Sequence, residues 1–188
     1  MPRNEALIPL SHDHHHGLVV ALRLKKGGPA SLNDSWLEGA DKQAPQLLEF
    51  ADSELLNHFK LEEELVFPLL LNLGIDEISA LTRELLDEHT AMKTSLDAIR
   101  LSSDLQMLKH FGELLEAHIR KEERALFPLI EREIEKGSII LPQDSIKTRR
   151  DSYTPPPVCK NWGKLFKGVQ GLSASQKHPP GCGFNKSL

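Results

Sequence analysis

The feature that most constrains this chain is a repeat. His58-Phe-Lys-Leu-Glu-Glu-Glu-Leu-Val-Phe-Pro-Leu-Leu70 returns sixty positions later as His118-Ile-Arg-Lys-Glu-Glu-Arg-Ala-Leu-Phe-Pro-Leu-Ile130. The shared frame is H-x-x-x-E-E-x-x-x-F-P-L. Four residues of α-helix turn the chain by about 400° and rise about 6 Å, so His58 and Glu62 share one face, as do His118 and Glu122. Two such faces opposed across a helical bundle bring two imidazoles and two carboxylates to one point.

The rest of the chain reads as helix around that frame. Leu, Glu, Ala and Lys dominate and aromatic residues make up 5% of the 188 residues, a helix-favouring composition. Residues 11–26 predict a first helix, capped by Ser11 and stopped by Gly27-Gly28-Pro29. Trp36 and Leu37 follow as candidate anchors to the core. A second helix is expected from Ala44 or Pro45 to about 72–74, kinked or weakened by Pro68. Residues 76–101 predict a third and residues 104–136 a fourth, closed by Gly137. Four amphipathic helices with short connections give an all-α fold, an antiparallel up-down-up-down four-helix bundle over residues 8–136.

After Gly137 the character changes. Residues 137–188 hold half of the prolines and half of the glycines, with eight Lys or Arg against two Asp or Glu. The other 136 residues carry 15 basic and 25 acidic side chains. The tail shows no apolar period and is expected to be disordered, apart from a short amphipathic turn at Trp162, Leu165, Phe166 and Val169. An acidic body argues against nucleic-acid binding. Cys159 and Cys182 lie in this tail and imply no disulfide framework. No apolar run approaches a membrane span and no signal-peptide pattern opens the chain, so a cytoplasmic protein is expected.

Nine histidines are present, and each predicted bundle helix carries at least one near its apolar stripe: the cluster His12, His14, His15 and His16, then His58, His89 and His118. One histidine on an apolar face is usually a satisfied core residue. Four helices contributing one each, two with Glu at i+4, favour a metal site, because an isolated buried carboxylate is costly and a cation removes that cost. Imidazole and carboxylate without thiolate suit iron, and also manganese or zinc. Glu63, Glu64 and Glu123, about 100° from their neighbours, are expected on a solvated acidic face.

These residues resemble the hemerythrin-like, HHE cation-binding family. The resemblance covers about residues 8–136 and rests on Leu-Ser-His-Asp-His-His-His-Gly-Leu, His58-x-x-x-Glu62 with Phe-Pro, Asp-Glu-His89, and His118-x-x-x-Glu122 with Phe-Pro. It implies two non-haem iron ions, with His58, His89 and His118 as terminal ligands and Glu62 and Glu122 bridging or capping them. The first helix would supply His14 or His15. His15 has Leu18 and Leu22 behind it, His14 has Leu18 and Ala21, and the preference for His15 is slight. Oxygen carriers of the family have a second His on the third helix, four residues beyond the first. Here Leu85 precedes His89 by four and Lys93 follows it by four. One ligand is therefore missing, or replaced by Glu88, His14 or water, which argues against reversible oxygen transport. Iron-repair members carry a cysteine-bearing N-terminal domain and ubiquitin-ligase relatives an F-box; neither is expected here. The leading expectation is a non-catalytic di-iron protein that binds or senses oxygen, nitric oxide or iron, with small anions as further ligands. The alternatives are a di-iron enzyme acting on peroxide or repairing iron centres, and a metal-poor helical interaction scaffold.

Overall fold

The computed structural model describes residues 3–32 and 34–152. The described residues are helical, with no strand among them. Helix α1 spans Ile8–Lys26. It starts three residues before Ser11, because Pro9 in the first turn has no N–H to lose and a preset φ. Ser11 consequently lies inside the helix, and its hydroxyl serves elsewhere. The end is as expected: Gly27 takes φ 70°, and the amide of Gly28 donates to the Arg23 carbonyl. Arg23 also forks onto Asp34 at 2.6 and 2.8 Å and lies over the Trp36 ring, fixing the connection that follows. Trp36 is buried while Leu37 is exposed, so one of the two expected anchors holds.

The segments Ala40–Phe50, Ala51–Leu55, Leu56–Leu61, Glu62–Val66 and Phe67–Asn72 run on as one helix, α2. It begins at Ala40, earlier than expected, and tolerates Pro45, whose missing N–H strands only a first-turn carbonyl. Two stretches of α2 are widened π turns. The amide of Leu56 reaches back five residues to Ala51, and that of Phe67 reaches Glu62. Helix α3 spans Asp76–Leu101. Helix α4 joins Leu105–Lys121, Glu122–Leu126 and Phe127–Glu135, and its middle stretch is again a π turn, with Phe127 bonded to Glu122. Asp104 caps it, accepting from the Met107 amide at 2.8 Å. Pro68 and Pro128 thus follow a π turn instead of kinking an α-helix, the wider turn absorbing the lost hydrogen bond.

The four helices pack side by side, α1 along α4 and α3 between α2 and α4. Their apolar residues form two cores. Leu24, Leu47, Phe59, Met92, Phe111 and Leu115 belong to one. Leu10, Phe67, Leu70, Leu85, Phe127 and Ile130 belong to the other. On every helix a charged or imidazole residue sits between the two sets, so a polar layer crosses the bundle between apolar halves. Glycines let α1 and α4 approach closely: a Cβ on Gly112 would meet the Ala21 carbonyl oxygen at 2.9 Å.

The expected disorder of the tail does not hold for residues 138–152. Ile139 and Leu141 are buried in the second core, and Gln143–Asp151 form helix α5, which buries Ile146 completely. α5 lies along the middle of α2. The proposed turn at Trp162 to Val169, both cysteines and His178 fall outside the described residues.

Candidate metal centre

Six side chains from four helices meet in the polar layer: His14 of α1, His58 and Glu62 of α2, His89 of α3, and His118 and Glu122 of α4. All six are buried, none more than 4% exposed. They form two groups of four that share both carboxylates. His14, His58, Glu62 and Glu122 make one group; His89, His118, Glu62 and Glu122 make the other. Within each group the ligand-type atoms lie within 4.8 Å of one another.

The rings face inward through Nε2. His14 Nε2 and His58 Nε2 are 3.1 Å apart, as are His89 Nε2 and His118 Nε2. Glu62 Oε1 is 3.2 Å from His58 Nε2, and its Oε2 is 3.5 Å from His89 Nε2. Glu122 Oε2 lies 2.9 Å from His14 Nε2 and 3.5 Å from His118 Nε2.

What fixes the rings is a second set of carboxylates bound to Nδ1. His14 Nδ1 donates to Glu123 at 2.7 Å, His89 Nδ1 to Glu63 at 2.8 Å, and His118 Nδ1 to Glu88 at 2.8 Å. His58 Nδ1 stands 3.4 Å from Asp13. With Nδ1 donating, the neutral ring has its lone pair on Nε2, which here points at the centre. Ring nitrogens facing each other at 3.1 Å, beside the buried carboxylates of Glu62 and Glu122, make a donor set that fits a cation.

The arrangement repeats. Asp13-His14 corresponds to Glu88-His89, and His58-x-x-x-Glu62-Glu63 to His118-x-x-x-Glu122-Glu123. Asp13, just before His14, faces the His58 ring on the following helix, as Glu88, just before His89, faces that of His118. The carboxylate just after the inward Glu holds a ring of the other half. The π turns serve the same symmetry. Phe67 comes to stack on His89 at 5.6 Å between centroids, and Phe127 on His14 at 5.4 Å.

Electrostatics follow from burial and crowding. Burial disfavours a charged His58, but the Glu62 charge and the contacts to Asp13 and Glu62 outweigh it and hold its pKa well above the ordinary range. Burial likewise disfavours the Glu62 carboxylate, and the His58 charge with contacts to His58 and His89 overcomes this, holding it well below. Glu88 and Glu123 stay below their usual range despite partial burial, chiefly through His118 and Lys121 for the first and His14 and Ser11 for the second.

Beside the first group is a cavity of about 10 Å³, the size of one water-sized sphere, lined largely by Gly17, Leu55, Phe59, Leu115 and Ile119.

Several sequence expectations change here. His14 and not His15 enters the centre; His15 is exposed, because one further residue along α1 turns it by about 100° onto the solvent side. Glu63 and Glu123 are not a free solvated face but hold rings. Glu88 stands outside both groups and bonds His118 Nδ1 at 2.8 Å. Lys93, at the place of the second His on the third helix, bonds Glu63 at 2.6 Å.

The family comparison rests on the same region. Residues 7–130 match the model of the hemerythrin HHE cation-binding domain, more than half of the chain. The chain belongs to the hemerythrin HHE cation-binding family. Neither a curated protein nor a solved structure gives a match. In this hemerythrin-like domain the fold gathers His14, His58, Glu62, His89, His118 and Glu122. No described helix is long and apolar enough to cross a membrane.

Proposed function

We propose that this chain is a di-iron protein that binds or senses a small ligand such as oxygen or nitric oxide, with His14, His58, Glu62, His89, His118 and Glu122 as the metal ligands. One observation supports this above the rest: two four-residue groups share Glu62 and Glu122, so each carboxylate can serve two positions at once. Iron would supply a ligand-exchanging, redox-active centre there. The protein residues supply the rest. Glu123, Glu63 and Glu88 fix which nitrogen of three of the rings faces inward, and Asp13 stands 3.4 Å from Nδ1 of the fourth. Four imidazoles and two carboxylates would hold the ions and would leave places for exogenous ligands. The cavity beside His14 and His58 is apolar and holds a few atoms at most, which suits a diatomic molecule and excludes an extended substrate.

Anaerobic iron loading followed by metal analysis tests the reading. About two ions per chain are expected, one for each group. Substantially less than one ion per chain, with no visible band on adding azide to the ferric form, would sink it.

A further inference from the structure

The ring-holding carboxylates are themselves held by cations, and there the two halves differ. Glu63 bonds Lys93 of α3, and Glu88 bonds Lys121 of α4. Both cations of the His89/His118 half therefore stand on bundle helices. Glu123 bonds Arg3, five residues before α1, at 2.5 Å. Asp13 bonds Arg150 of α5 twice through Oδ1, at 2.7 and 2.9 Å. Both cations of the His14/His58 half come from segments flanking the bundle.

The Arg150 contact has a further consequence. Asp13 gives Oδ1 to the guanidinium and has only Oδ2 left for His58, at 3.4 Å, against 2.7–2.8 Å for the other three rings. His58 Nδ1 is the one ring nitrogen of the centre without a normal hydrogen bond. Asp13 is near the surface, and nothing but Arg150 and the ring orients it among the described contacts. α5 is seated by Ile146 in the core and by Arg149 on Glu64 of α2.

We propose that α5 is a latch on one half of the centre. Arg150 is a positioning residue that aims Asp13 at His58, and the His14/His58 position is the one that loosens when α5 detaches. The proposal rests on the metal reading above, deepening it to say that the two positions are unequal and that one answers to a segment outside the bundle. The bundle helices repeat the ligands between halves and set Asp13, one methylene shorter, where the other half has Glu88; the cations that hold these carboxylates come from different places.

Cobalt(II) titration of the full chain tests this, with Arg150→Ala, Arg150→Lys, Ile146→Ser and, as the counterpart in the other half, Lys121→Ala. Arg150→Ala and Ile146→Ser should weaken one of two equivalents by about ten-fold or more and leave the other unchanged. Arg150→Lys should restore most of the loss. Lys121→Ala should not reproduce the split at that position. Equal weakening of both equivalents by Arg150→Ala, or wild-type behaviour, overturns the latch. Histidine ring NMR of the metal-free protein decides it independently of metal. Arg150→Ala should move the His58 ring signals and spare those of His89 and His118; unchanged His58 signals overturn the latch even in a protein that takes up cobalt. A wild-type chain that binds no metal but shows the His58 response would sink the metal reading and leave the positioning role standing.

Discussion

Glu63 on α2 accepts a hydrogen bond from His89 Nδ1 on α3 at 2.8 Å, one residue after the carboxylate that faces the centre. Adjacent glutamates thus do different work: Glu62 reaches inward from a fully buried position while Glu63 orients a ring on the next helix. Glu63 fixes which nitrogen of His89 faces the centre, so Glu63→Gln should weaken metal binding by about 10–100-fold without unfolding the chain. Glu123→Gln should do the same through His14. Glu113, on the exposed side of α4, is the control: Glu113→Gln should leave direct affinity within a few-fold in an equilibrium titration.

The inward carboxylates should show a different pattern. Glu62→Gln and Glu122→Gln each touch both groups, so either should lower occupancy of both positions. Metal that binds only the folded state raises stability by RT ln(1 + [L]/Kd), about 2.7 kcal/mol at a hundred-fold excess over Kd. That gain should disappear in both variants, read as the difference in Tm with and without iron. A variant that loses only one equivalent would contradict the shared-carboxylate geometry.

Much of this was legible in the sequence. The repeat fixed the face of α2 and α4 that carries the ligands, and Gly27 and Asp104 marked real helix ends. The choice between His14 and His15 was not legible, since both have apolar neighbours at helical spacing and only packing decides which turns inward. The ring-holding role of Glu63 and Glu123 was hidden because a residue 100° off the ligand face looks solvated until the neighbouring helix is in place. The doublets Glu62-Glu63 and Glu122-Glu123, and an acid before His14 and His89, were the available signal. α5 escaped notice because one buried residue, Ile146, makes no period. Its docking depends on Arg149 and Arg150 finding carboxylates 85 and 137 positions away.

The metal-free protein should have a definite pH profile. His58 has its pKa raised well above the ordinary 6.5, so its contribution is full below pH 6.5 and is lost as pH rises toward the folded value. Glu62 is held well below its ordinary 4.5, so its contribution is present above that pH and lost as pH falls toward the folded value. Thermal stability of the metal-free chain should therefore be greatest between pH 4.5 and 6.5 and decline on the alkaline side. Bound metal takes the place of the His58 proton, so affinity should rise with pH and the loaded protein should not show the alkaline decline. Calorimetry in two buffers of different ionisation enthalpy would register the released protons. An apo Tm that keeps rising from pH 6.5 to 9 would contradict the assignment.

The cavity offers the last prediction, because two glycines of the α1–α4 interface can be altered with opposite consequences. A Cβ at Gly112 meets the Ala21 carbonyl oxygen and Leu24 Cβ, both at 2.9 Å. Neither can rotate away, so Gly112→Ala must separate the helices and should destabilise by about 1–3 kcal/mol. At Gly17 the nearest atom, at 2.7 Å, is Ile119 Cδ1, the end of a side chain that can change rotamer. Gly17 and Ile119 both line the cavity beside His14 and His58. Gly17→Ala should therefore cost less stability, fill a space of about 10 Å³ from two sides, and keep the metal, since no ligand or ring-holder moves. Its effect should fall on entry: azide should bind the ferric form more slowly, with the metal content and the spectrum of the azide-free protein unchanged. Equal azide rates in Gly17→Ala and wild type would mean that small ligands reach the centre by another path.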